Sequence, residues 1–144
     1  MFRKEDVRFP AAGGIELSAW LFVPERRATP LQAITMVRGY AGTKYHGLVV
    51  LLHDHRGFGD SGGELRHDVN PRQQIADWRR AISYLQDRPE VDQNRVGLWG
   101  TGFAGGFIPC PMVSGRTKSR SAQRDGLACT RRAISLSVYR PRRL

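Results

Sequence analysis

Apolar and polar residues alternate between Ile15 and Val23. Ile15, Leu17, Ala19, Leu21 and Val23 share one face, with Glu16, Ser18, Trp20 and Phe22 opposite. A two-residue period of this kind predicts a β-strand with one buried face. Val7-Arg8-Phe9 predicts a shorter strand before it, and Ala11-Ala12-Gly13-Gly14 supplies the turn of an antiparallel hairpin. Ala33–Val37 is a short apolar run after Pro30. Leu48-Val49-Val50-Leu51-Leu52 is apolar without alternation, as in a strand buried on both faces of a parallel sheet. The period then changes. Ile75, Trp78, Ile82 and Leu85 recur at i, i+3, i+7 and i+10, with Arg72, Arg79, Arg80 and Asp87 off the stripe. Asn70 is suited to cap this helix, Pro71 to its first turn, and Pro89 ends it, which predicts a helix over Pro71–Gln86. Val96-Gly97-Leu98-Trp99 predicts one more buried strand. Strand, loop, strand, helix, strand is an α/β pattern with a mostly parallel sheet behind an N-terminal antiparallel hairpin.

After Gly106 the patterning is lost. Pro109 and Pro111 break any helix, and Ser, Arg, Gly and Thr dominate from Ser114 onward. One late fragment alternates, Ile134, Leu136 and Val138 against Ser135 and Ser137, and reads as a short strand. Apart from it the tail is expected to be disordered. The expected organisation is therefore a folded domain over 1–108 and a low-complexity basic tail over 109–144. A length of 144 residues suits one domain, and 40% apolar with 25% charged residues is ordinary for a globular protein.

The net charge of +10 suggests a nucleic-acid binder until it is divided. Residues 115–144 hold nine Lys and Arg (Arg116, Lys118, Arg120, Arg124, Arg131, Arg132, Arg140, Arg142, Arg143) and a single acid, Asp125. The 14 Lys and Arg and 12 acids of residues 1–114 nearly cancel, so the excess belongs to the tail. The longest apolar run has five residues, Leu48–Leu52, far short of the ~20 of a membrane span. Met1–Asp6 holds no apolar leader segment, and Cys110 and Cys129 form no CxxC pair. A reducing cytoplasm is the expected compartment, with no disulfide scaffold and no cysteine-based zinc site.

Three segments then resemble a family. Asp54-His55-Arg56-Gly57-Phe58-Gly59-Asp60-Ser61-Gly62-Gly63 resembles the D-x-R-G-x-G-x-S loop of α/β-hydrolases. Arg38-Gly39-Tyr40-Ala41-Gly42 resembles their H-G-x-x-G oxyanion loop, with Arg38 at the His position. Arg95–Gly106 resembles the strand and nucleophile elbow, and the dienelactone-hydrolase and X-Pro-dipeptidyl-peptidase-like branch is the nearest in character. The resemblance covers roughly residues 5–107 and implies an incomplete α/β-hydrolase fold. It also implies a serine hydrolase ancestry, with a small-molecule ester, thioester or peptide as substrate and no cofactor or metal. In such enzymes a strained strand-to-helix turn presents a serine beside backbone N–H groups that hold an oxyanion.

Carried onto this chain, the nucleophile position is Gly102 and the oxyanion N–H positions are Tyr40 and Phe103. Gly102 has no side chain with which to attack. His46, His53, His55 and His67 all precede the elbow, so none stands where the family places its base, and Asp125 is the only acid after it. The expectation is a catalytically inactive chain with no intact catalytic residue. Two more departures stand out. The stretch between Val37 and Leu48 is too short for the helix the family places there, and too tight for a parallel crossover. The chain also stops where the second half of the sheet would begin, leaving the Val96–Trp99 strand without later neighbours. Together these suggest a truncated form with a reading-frame change after about Phe107.

Other constellations are weaker. Gly100-Thr101-Gly102-Phe103-Ala104-Gly105 matches G-x-G-x-x-G literally, but Pro109 and Pro111 spoil the helix that would hold a pyrophosphate. Asp54, His55 and Ser61 lie too close in sequence to converge as a triad and are read as loop-shaping. His53 and His55 lack a third metal ligand. Cys110 has no base beside it and is read as an inert thiol. Two alternatives to an inactive hydrolase remain: an active one using a non-family nucleophile, and a protein that holds polyanions weakly and non-specifically through its basic tail.

Overall fold

The computed structural model describes residues 1–25, 30–37 and 47–100, together with two short strands at 119–121 and 135–139. In chain order the elements are β1 (Phe2–Pro10), β2 (Glu16–Pro24), β3 (Leu31–Val37), β4 (Val49–His53), α1 (Pro71–Gln86), β5 (Val91–Gly100), β6 (Ser119–Ser121) and β7 (Ser135–Tyr139). The strands form one mixed sheet in the order β1-β2-β4-β3-β5-β7-β6. β1 and β2 are the antiparallel hairpin, and β4, β3 and β5 run parallel to one another.

The alternation in β2 sets the two faces of the sheet. Leu17, Ala19, Leu21 and Val23 are buried on the α1 side, with Phe9, Ala33, Val49, Leu51, Val96 and Leu98 from neighbouring strands. Trp78, Ala81, Ile82 and Leu85 of α1 close this core. On the other side Ile34, Met36 and Val50 form a smaller cluster with Phe22, Leu48, Leu52 and Trp99. β4 is thus buried on both faces, as its unbroken apolar run predicted.

The helix begins and ends where its caps place it. The Asn70 side chain accepts from the Gln73 N–H at 3.3 Å, satisfying one of the orphan donors of the first turn. Asn70→Ala is expected to cost about 1 kcal/mol, read as a Tm lower by about 3 °C. The buried stripe is rotated from the one expected. Gln74 and Asp77 are buried with Trp78, Ala81, Ile82 and Leu85, while Ile75 is only half-buried. A buried carboxylate on a core-facing stripe is unusual, and its partner lies in the loop described below.

The structure corrects two expectations. β3 and β4 pair in parallel, Ala33 with Val49 through Met36 with Leu52, so residues 38–48 do make the crossover. The return distance along so short a pairing is about 17 Å, and these residues span roughly 36 Å when extended. The connection is therefore long enough for the return that the parallel pairing requires. The outer edge of β5 is also not bare. β7 pairs with it antiparallel, Val96 with Tyr139 through Gly100 with Ser135, and β6 pairs with β7. The late alternating fragment is therefore a strand, Ser119–Ser121 of the expected tail is a second, and the remainder of that tail lies outside the described residues. No helix among the described residues is long and apolar enough to cross a membrane.

Candidate functional site

The Asp54–Gly63 segment leaves the C-terminal end of β4 and turns back beneath the hairpin. The Gly57 N–H donates to the Gly62 carbonyl at 2.9 Å, and the Gly57 carbonyl accepts from the His67 N–H at 2.9 Å. Gly57 and Gly59 have φ of +73° and +50°. A Cβ on Gly57 would collide with the Leu65 carbonyl, and one on Gly59 with the Asp54 carboxylate. Gly57 therefore needs glycine on two counts, conformation and backbone space, whereas at Gly59 the positive φ favours glycine and the obstacle is a side chain. The Arg66 guanidinium donates to the carbonyls of Ser61 and Gly59 at 2.8 and 2.7 Å, closing the loop from outside.

Ser61 is buried and fully engaged. Its hydroxyl donates to the Asp54 carbonyl at 2.8 Å and accepts from the Ser18 N–H at 2.8 Å, joining the loop to β2. The Asp54 carboxylate accepts from the Asp60 N–H at 3.2 Å. Asp54 and Ser61 thus act as backbone fasteners, and neither is presented as half of a nucleophile–base pair.

Arg56, the Arg of the D-x-R-G-x-G-x-S pattern, turns inward. Its Nε donates to Asp77 Oδ2 at 2.9 Å, and a second guanidinium nitrogen donates to Asp77 Oδ1. Asp77 is fully buried and Arg56 nearly so. The hydrogen bond to Asp77 raises the Arg56 pKa, which keeps the guanidinium charged against the cost of burial. This fork-to-carboxylate pair binds the loop to α1. Sequence reading missed Asp77, and the available signal was the acid one position before Trp78, on a face whose only other buried polar side chain is Gln74.

His53 lies below the loop. Its Nδ1 is 3.2 Å from the buried Thr35 hydroxyl, and its ring stands edge-on to Trp78, His55 and Phe9. Burial pushes its pKa well below the usual histidine value, and the neighbouring His55 adds to the shift. Among the described residues no three His, Cys, Asp or Glu side chains come close enough to hold a metal ion. The other sequence-predicted positions, Tyr40, Gly102, Phe103 and Cys110, lie outside the described residues. β5 runs in parallel beside β3 and ends at Gly100, two residues before Gly102.

The order β1-β2-β4-β3-β5 and the loop after β4 can be set against solved proteins. The α/β hydrolase GrgF from Penicillium sp. sh18 superposes with a TM-score of 0.68 at 30% identity, over 76% of this chain and 41% of that one. The fold is that of the α/β-hydrolases. In sequence, the quorum-quenching protein AidA of Acinetobacter baumannii (strain MDR-ZJ06) is 35% identical over 72% of this chain and 37% of its own length. A thiohydrolase of Eupenicillium brefeldianum is 28% identical over 70% of this chain and 36% of its own length. No family model matches the chain. The chain spans less than two fifths of the length of these curated relatives. The part of the α/β-hydrolase fold described here is thus the hairpin, the parallel centre of the sheet and the loop held by Arg56.

Proposed function

We propose that this chain is a partial serine-hydrolase scaffold that does not cleave esters, thioesters or peptides by itself. The observation that carries the reading is the residue at the elbow. β5 leads toward Gly102, where the fold's chemistry needs a nucleophilic side chain. The oxyanion positions that the resemblance gives to Tyr40 and Phe103 call only for backbone N–H groups and so do not depend on the side chain at Gly102. We place the chain nearest the dienelactone-hydrolase and X-Pro-dipeptidyl-peptidase-like branch, in the cytoplasm. Its ligand class is a small ester, thioester or peptide, and any polyanion contact is weak and belongs to the basic tail. The similarity to the thiohydrolase of Eupenicillium brefeldianum favours an acyl thioester among these.

The test is turnover of a p-nitrophenyl ester and of an acyl thioester by the full chain. No rate above buffer is expected. Enzymes stripped of a triad member retain ~10³–10⁴-fold over water only where the rest of the site is intact. Gly102→Ser alone is expected to restore nothing, since all four histidines precede the elbow and none stands where the family places the base. A clear gain from that single change would overturn the reading. Turnover abolished by Cys110→Ala or Ser61→Ala would show instead an active enzyme with a different nucleophile.

A further inference from the structure

β1 ends the sheet, with no described strand beyond it. The Glu25 N–H donates to the Met1 carbonyl and the Ala11 N–H to the Ile15 carbonyl, and the register between these points is unbroken. Odd-numbered residues of β1 therefore bond to β2, and the N–H and C=O groups of Phe2, Lys4, Asp6 and Arg8 point outward. Pro10 falls in the outward set, so its missing N–H costs the hairpin nothing. An edge of this length is an open template for another strand.

The charges on that edge decide which strand fits. Lys4 and Asp6 lie on the face opposite α1, with Lys4 Nζ 3.9 Å above the Trp20 ring and 3.7 Å from Asp6. Trp20 is 47% exposed beside them. When two copies of β1 pair antiparallel about a two-fold axis, outward residues must oppose outward residues. One register sets Lys4 against the partner's Asp6 and Asp6 against the partner's Lys4, with Phe2 against the partner's Arg8. Glu5 then meets the partner's Glu5, but each is already held by Arg3 at 2.6 Å and Arg88 at 3.3 Å. Shifting by two residues one way opposes Lys4 to the partner's Lys4. Shifting the other way opposes Asp6 to the partner's Asp6 and Lys4 to the partner's Arg8. Of these three registers only the first is complementary, and it forms about eight backbone hydrogen bonds; a further shift that sets Asp6 against the partner's Arg8 shortens the pairing and runs Pro10, which has no N–H to donate, against the partner's Lys4.

We infer that the β1 edge is a self-association surface, on which a second copy of this chain adds its own β1 to make one continuous sheet. The test is sedimentation velocity on the full chain. Wild type is expected to dimerise reversibly at about 100 µM, more weakly at high salt. Lys4→Asp and Asp6→Lys each oppose like charges twice across the axis and are expected to weaken the dimer more than about tenfold. Mixed one to one, the two variants are complementary and should form a heterodimer as tight as wild type. The double swap Lys4→Asp/Asp6→Lys should regain the homodimer. Each sample is checked for a cooperative melt. If a single variant fails that check, the double swap and the salt dependence of wild type decide. A monomeric wild type, a dimer indifferent to both single changes, a mixture no tighter than its components, or a salt-insensitive wild-type dimer with a monomeric double swap would overturn the inference.

Discussion

Asp77→Ala is expected to lower the midpoint of thermal unfolding by about 10–15 °C. The carboxylate is fully buried and accepts both arms of the Arg56 fork. Removing it leaves a guanidinium facing a low-dielectric core with nothing to offset its desolvation. Breaking a buried pair in this one-sided way costs about 3–5 kcal/mol, and a chain of this size loses about 3 °C per kcal/mol. Replacing both partners, as in Arg56→Met/Asp77→Leu, removes the charge along with its partner and should recover most of the loss. Circular dichroism melts and urea titrations measure all three proteins. A single-variant loss below about 1 kcal/mol would mean that Arg56 finds water or another acceptor, and that the pair is no more than a surface contact.

This pair also marks where sequence reading stopped. The hairpin, β4, the helix limits and the strand at Val96–Trp99 were legible because each rests on local signals: alternation, an unbroken apolar run, or a cap with a Pro. β1 is longer than expected because Arg3–Asp6 shows no apolar alternation. An edge strand needs none on its outer side, where backbone rather than core contact defines it. The Arg56 motif was visible, but its partner is not at any fixed spacing. Only the packing of α1 across the sheet brings Asp77 to it, and that is a tertiary fact. The same holds for β7. Its alternation was readable, yet nothing in Ser135–Tyr139 says that β5 is its neighbour. The elbow is an expectation drawn from the glycines of Gly100–Gly106, and the residues after Gly100 lie outside the described ones.

Acid is expected to destabilise the fold through His53 by about 1.4 kcal/mol for each pH unit below about 6. The ring is fully buried at the end of β4, between Thr35 of β3, Phe9 of β1 and Trp78 of α1, with His55 as its titratable neighbour. Its Nε2 has no hydrogen-bond partner. The neutral tautomer that donates from Nδ1 to the Thr35 hydroxyl leaves only a bare acceptor, which costs less than an orphaned N–H. Protonation would create that orphan and place a charge in an apolar setting beside a second imidazole. The folded-state pKa is accordingly depressed, mainly by burial and then by His55. The unfolded chain takes up this proton near pH 6.5, while the folded chain does so only at much lower pH. The contribution is therefore intact above pH 6.5 and lost as pH falls, until the folded form also protonates. Urea denaturation of wild type and His53→Asn between pH 7.5 and about 4.5 separates this from the other histidines. Asn keeps a donor toward Thr35 but does not titrate, so its stability is lower at neutral pH and its slope flatter by about 1.4 kcal/mol per unit. Parallel slopes for the two proteins would show that His53 is hydrated in solution and that the acid sensitivity arises elsewhere.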